Sequence, residues 1–171
     1  MPVMICDATP GDASAIATLH ASSWRSTYRG ILPDAFLDGP VLADRQEQWE
    51  NRFRLPRPDQ IVLKAVDHHA VCGFACAFLD ADATWGALLD NLHVLPGHTG
   101  QGIGQRLFDA VFSRIRDARP GRPVHLWVIE ANAGARRFYD RNSGRVVEQQ
   151  ELEMRPGLRV LSVRYAWFTA P

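Results

Sequence analysis

The stretch from residue 92 to residue 110, LHVLPGHTGQGIGQRLFDA, constrains this chain more than any other. An apolar run ending in Val94 and Leu95 gives way to Gly100, Gly102 and Gly104, which lead directly into residues with helical apolar spacing. Glycine has no Cβ, so a turn built from it brings backbone N–H groups close to a ligand. A helix that starts there adds its unpaired first-turn N–H groups and the positive end of its dipole. Strand, glycine turn and helix N-terminus together predict a cradle for an anion, best suited to phosphate.

Two nucleotide-binding patterns fail on this stretch. A P-loop needs Lys and then Ser or Thr after its last glycine, whereas Gly104 is followed by Gln105 and Arg106. A dinucleotide fingerprint needs a third glycine three places after the second; that position is Gln105 in one register and Leu107 in the other. A second segment lies downstream. After Pro123, residues 124–129 read as a buried strand, followed by Glu130-Ala131-Asn132-Ala133-Gly134-Ala135-Arg136-Arg137-Phe138-Tyr139. Asn132 is a favourable helix N-cap. Tyr139 lies about two turns further on, so both should project on one side of the helix, with Phe138 directed into the core.

Taken together, these segments resemble the GNAT family, the Gcn5-related N-acetyltransferases. The family's acyl-CoA loop reads Gln/Arg-x-x-Gly-x-Gly/Ala after a strand ending in Val-x-Pro, and Val94, Pro96, Gly102, Ile103 and Gly104 fit it. Thr99 replaces the usual Gln or Arg, which removes a long side chain near the pyrophosphate and leaves the backbone cradle. The second segment is similar to the family's Asn-x-x-Ala-x-x-Phe-Tyr pattern: Asn132, Ala135, Phe138, Tyr139 and Gly144 match, while Arg145 stands where Phe is usual. The resemblance implies an N-acetyltransferase with acetyl-CoA as co-substrate and no metal. The strands before the loop and before Asn132 would splay apart, with the pantetheine arm on the backbone of Leu92, His93 and Val94. Thr99, Gly100, Gln101, Gly102, Ile103 and Gly104 would take the pyrophosphate, with Arg106 or another base nearby, and Asn132 and Ala135 would contact the donor. Bulk at Gly102 or Gly104 would fill the cradle.

The chemistry needs proton transfers. A protonated amine is no nucleophile, so a proton must leave it. The oxyanion needs a donor such as the Val94 N–H. The departing thiolate can take a proton from Tyr139, a phenol with a pKa of about 10 that matches the family's tyrosine; positioning the thioester is its alternative role. For the base, relatives carry Glu where this chain has Leu88. Asp90 is the nearest acid and shares the strand face of Val94. His93, Asn91, His20 and a relayed water are the alternatives. Trp24, Tyr28 and Asn91 would wall the acceptor site, Trp24 and Tyr28 also forming a helical pair four residues apart.

The rest of the chain bounds this reading. Its 171 residues suit one domain, residues 1–171, in the cytoplasm. With 19 basic and 19 acidic residues, the charge gives no support for a nucleic-acid or membrane binder. Three cysteines, Cys6, Cys72 and Cys76, form no disulfide framework and suggest reduced thiols. His68, His69, Cys72 and Cys76 could suggest a metal cluster. However, residues 61–66 and 71–79 read as two strands with 67–70 as their turn, and Cys72, Phe74, Cys76 and Phe78 share one apolar face. Thr9, Pro10 and Asp12 start a first helix carrying Ile16, Leu19 and Ser23 on one stripe. A second helix over 42–53 places Leu42, Arg45, Trp49 and Phe53 on one side. Strands over 3–6 and 88–95, and a final hairpin over 145–154 and 158–168, complete an order β-α-α-β-β-β-α-β-α-β-β.

The expected fold is α/β (α+β): a GNAT fold with a central mixed, mostly antiparallel twisted sheet and helices on both faces. The expected acceptor is a primary amine of a small molecule, in a monomer or a homodimer. A protein N-terminus or lysine, or a non-catalytic acyl-CoA sensor, is the alternative. A cysteine hydrolase lacks its paired His and Asn pattern.

Overall fold

Apolar periodicity places most of the elements seen in the computed structural model, which describes residues 3–168. In order they are β1 (Met4–Asp7), a 3-10 turn (Pro10–Asp12), α1 (Ala13–Thr27), α2 (Asp34–Asp38), α3 (Val41–Arg54), β2 (Gln60–Asp67), β3 (Ala70–Asp82), β4 (Gly86–Val94), α4 (Ile103–Ala118), β5 (Val124–Ile129), α5 (Ala133–Arg141), β6 (Arg145–Arg155) and β7 (Leu158–Trp167). The strands form one seven-stranded mixed sheet in the order β1-β2-β3-β4-β5-β7-β6. The β4–β5 pair is parallel, and β1–β2, β5–β7 and β6–β7 are antiparallel. The described chain divides into two compact units, one of residues 3–77 with 91–111, the other of 78–90 with 112–168.

In the first unit, neighbouring residues of β3 show how the sheet is covered. A Cβ at Gly73 would lie 2.9 Å from Leu107 Cδ1 and 3.3 Å from Ile103 Cγ2, so α4 presses on that face and no larger residue fits. Phe74 points the other way, its ring 5.1 Å from Trp49 of α3 and 5.3 Å from His20 of α1. Helices therefore cover both faces here, as strand alternation requires. The stripe Ile16, Leu19 and Ser23 is buried, as its spacing predicts. Helix α1 begins at Ala13, three residues later than the start at Pro10 that the sequence predicts. Thr9 and Asp12 instead cap a 3-10 turn, the Thr9 N–H and hydroxyl both donating to Asp12 Oδ2 at 2.7 and 2.9 Å. The β2–β3 turn falls on His68 and His69, both left-handed at φ 43° and 72°, the conformation a two-residue hairpin demands. Both histidines are exposed at this turn while Cys72 and Cys76 are buried in β3. The sequence reading missed α2. It has five residues, too few for periodicity to register, and it buries Phe36 and Leu37.

The second unit is organised by aromatic residues of β7. Trp167 packs on Phe112 of α4 at 5.1 Å and Tyr139 of α5 at 6.0 Å, and Tyr165 packs on Tyr139 at 5.6 Å. Gly144 sits beneath them. A Cβ there would fall 2.7 Å from Trp167 Cζ2 and 3.0 Å from the Tyr139 carbonyl, which explains a glycine at this end of the motif. On the other face of β7, Arg164 lies between Trp127 and Trp85, at 4.5 and 5.2 Å from the ring centres. The parallel ladder joins β4 to β5 over only two residue pairs, Ala87 with Val124 and Leu88 with His125. In contrast, β5 stays paired with β7 from Val124 to Ile129.

Candidate active site

The glycine loop has the backbone its sequence predicts. Gly97, Gly100 and Gly102 take left-handed φ values of 92°, 77° and 77°, and a Cβ at any of them would meet nothing within 4 Å. The loop is therefore open above its backbone, with Thr99, Gly100, Gln101 and Gly102 exposed. The first helical bond of α4 runs from the Arg106 N–H to the Gly102 carbonyl at 3.0 Å, so the N–H groups of Ile103, Gly104 and Gln105 lie ahead of it. These donors and the helix dipole fit a phosphate. Two expectations change. A Cβ at Gly104 would sit 3.7 Å from Val94 Cγ2, an ordinary contact, so Gly104 faces β4 and not the open loop. Arg106 turns away to donate to the Val3 carbonyl at 2.7 Å, which ties α4 to the chain's start.

In the same unit, α1, α3 and β4 bring together a cluster that the sequence indicated only in part. His20 is fully buried and accepts a 3.0 Å hydrogen bond at Nδ1 from Trp49 Nε1–H. Tryptophan can only donate, so neutral His20 carries its proton on Nε2. That Nε2 is buried and meets no hydrogen-bond partner among the described residues. The half-buried His93 ring lies 4.6 Å from His20 and 5.4 Å from Phe74, and its Nδ1 is 2.9 Å from Ser23 Oγ. Asn91 Oδ1 accepts from Arg52 Nη1 at 2.7 Å. Trp24 is 8% exposed and packs on His20, Tyr28 and Phe36, with the Arg45 guanidinium 4.4 Å over its ring. Asp44 holds Arg45 by two hydrogen bonds.

The electrostatics of this cluster favour neutral imidazoles. Burial pushes His93 down to about 4, and the positive charge of Arg45 adds to the effect. Burial, then the charges of His93, Arg45 and Arg52, hold His20 well below the ordinary histidine range. Asn91 and His93 thus share the α1–α3 face of β4. By alternation Asp90, Leu92 and Val94 share the opposite face, the one on which Val94 meets Gly104. Sequence reasoning named His20, Trp24, Asn91 and His93 but missed Ser23, Trp49, Arg45 and Arg52 as their partners. The i, i+3, i+4 spacing of His20, Ser23 and Trp24 was the available signal.

In the second unit, Asn132 caps α5 by accepting the Ala135 N–H at Oδ1, 3.2 Å. Phe138 was expected in the core, but the burial is reversed. Tyr139 is 9% exposed within the Tyr165–Trp167 cluster, and Phe138 is half-buried. The phenol of Tyr165 donates to Asp140 at 2.9 Å, and burial raises its pKa.

An open glycine cradle at a helix N-terminus fits a phosphate-bearing ligand. The chain belongs to the acetyltransferase (GNAT) family, whose model matches residues 18–144, and it is an acetyl-CoA-dependent acyltransferase. It is similar to the uncharacterized N-acetyltransferase YuaI of Bacillus subtilis (strain 168), 25% identical over 167 residues, which cover 96% of this chain and 92% of that protein. Among solved structures it resembles the PaiA N-acetyltransferase from Thermoplasma acidophilum in complex with coenzyme A, with a TM-score of 0.78 and 20% identity over 98% of this chain and 100% of the other. It also resembles the ribosomal-protein-S18-alanine N-acetyltransferase from Escherichia coli, with a TM-score of 0.72 and 13% identity over 99% and 96%. Among the described residues, no helix is long and apolar enough to cross a membrane.

Proposed function

We propose that this chain transfers the acetyl group of acetyl-CoA to a primary amine of a small molecule. The observation that carries the donor half is the cradle: three left-handed glycines under open space, followed directly by the first turn of α4. In this reading Gly100, Gly102, Ile103 and Gly104 hold the pyrophosphate by backbone donors, with Thr99 and Gln101 at the rim. Leu92, His93 and Val94 offer backbone groups to the pantetheine arm, an extended chain that pairs as a strand would. The short β4–β5 ladder supports that role. Asn132 and Ala135 complete the donor side. The bound thioester supplies an activated acyl carbon.

For the acceptor, Trp24, Tyr28, Asn91 and His93 are each buried or only partly exposed, a small contact area that suits a small molecule. Trp24 packs on His20 and on Tyr28, His20 packs on His93, and Asn91, two residues before His93 on β4, is bonded to Arg52 of α3. Asp90 lies on the opposite face of the strand, so in this reading the group that receives the amine's proton is His93 and not Asp90. Tyr139 gives its phenolic proton to the departing sulfur. Incubating the protein with acetyl-CoA and a panel of small amines, peptides with free N-termini, and lysine side chains, while following thiol release, tests the assignment. Small amines should release thiol fastest. Release with peptides alone would move the acceptor to proteins, and saturable acetyl-CoA binding without thiol release from any amine would make the domain a sensor.

A further inference from the structure

We infer that the acceptor site takes its amine as the uncharged free base and so selects weakly basic amines, such as arylamines, hydrazines and α-amino groups, over alkylammonium ions. The inference rests on the reading that Trp24, Tyr28, Asn91 and His93 border the acceptor. An ammonium entering a partly buried site needs a carboxylate to offset its desolvation. Among the described residues, the groups shown around His93 include no carboxylate that is not already bonded to an arginine. Helix α1 contributes His20, Ser23 and Trp24. Helix α3 contributes Trp49 and the cations Arg45 and Arg52, and its Asp44 is engaged by Arg45. Strand β3 contributes Phe74 and Cys76, and β4 contributes Asn91.

The hydrogen-bond inventory points the same way. Trp49 fixes His20 as an Nε2–H donor, and that buried donor meets no acceptor among the described residues. An ammonium brings only donors, whereas a free amine, or the water it carries, brings a lone pair. His93 can receive an N–H at Nε2 when its Nδ1–H donates to Ser23 Oγ. Burial and Arg45 keep that imidazole neutral throughout the physiological range.

A neutral acceptor also removes the need for a strong base. The amine nitrogen bonds to the acyl carbon, the C–S bond breaks, and one N–H proton is lost to His93 Nε2. The thiolate gains one proton from Tyr139, and the proton on His93 returns to the phenolate through solvent. Amide and thiol leave with no net proton released. An enzyme that bound the ammonium would release one proton per turnover and would need a group able to hold it.

The test is the pH dependence of kcat/KM, with saturating acetyl-CoA, for benzylamine and a series of ring-fluorinated benzylamines of falling ammonium pKa. The acidic limb should move with each amine's own pKa and reach a plateau above it. A limb at one pH for every amine, followed by a fall above the ammonium pKa, would overturn the inference and leave acetyl transfer intact. Thiol release from no amine would overturn the enzymatic reading, and this one with it.

Discussion

Lowering the pH from 7 to 5 should cost the protein about 2 kcal/mol of folding stability through His93 alone. In the unfolded chain this imidazole binds a proton near its ordinary 6.5, and in the folded protein only near 4. The folded pKa is depressed, so the stability it represents is complete above 6.5 and is lost as the pH falls toward 4. At pH 5 the unfolded state is favoured by proton binding roughly thirtyfold, which is about 2 kcal/mol, and the loss reaches about 3 kcal/mol near pH 4. His20 and His125 act in the same direction, both depressed first of all by burial. Asp12 does not compete in this window, because its lowered carboxyl pKa begins to matter only in more acidic solution. Urea denaturation at several pH values between 7 and 5 measures the slope. His93→Gln keeps an amide to bond Ser23 and removes the titration. The stability difference between parent and variant should therefore shrink by about 2 kcal/mol over that interval. Parallel curves would show that His93 titrates normally and would remove the electrostatic basis of the free-base argument.

Two substitutions probe the donor side. Gly102→Ala forces an L-residue to φ 77°, so it should weaken acetyl-CoA binding by calorimetry, whereas Gly104→Ala, with only Val94 at ordinary contact distance, should leave affinity within about threefold. Equal losses at both sites would refute the assigned cradle. Tyr139→Phe should lower kcat by roughly ten- to a thousandfold with little change in acetyl-CoA affinity if the phenol protonates sulfur, while a raised KM would assign it to positioning. Asn132→Ala is the control: it removes the α5 cap and should cost about 1 kcal/mol of stability together with donor affinity.

What could be read from the chain alone follows how local each feature is. The β5 strand, the Asn132 cap and the His68–His69 turn are local features, because strand propensity, a side-chain cap and a two-residue turn act within a few residues of sequence. The glycine loop was legible for the same reason, since a backbone without Cβ atoms beside an amphipathic run leaves few alternatives. Periods shorter than a window escaped: α2 is one turn of helix, held by Phe36 and Leu37 in a core supplied by other elements. Side-chain direction escaped as well. Whether Phe138 or Tyr139 enters the core depends on β7, which places Tyr165 and Trp167 beneath α5. The His20–Trp49 bond joins residues 29 apart and the Ser23–His93 contact residues 70 apart. The sequence named the imidazoles and the cradle, but their charge, their tautomers and the strand face they occupy were decided by tertiary packing. Desolvation and hydrogen-bond pairing are properties of neighbours in space, and the order of residues along a chain does not say which neighbours will meet.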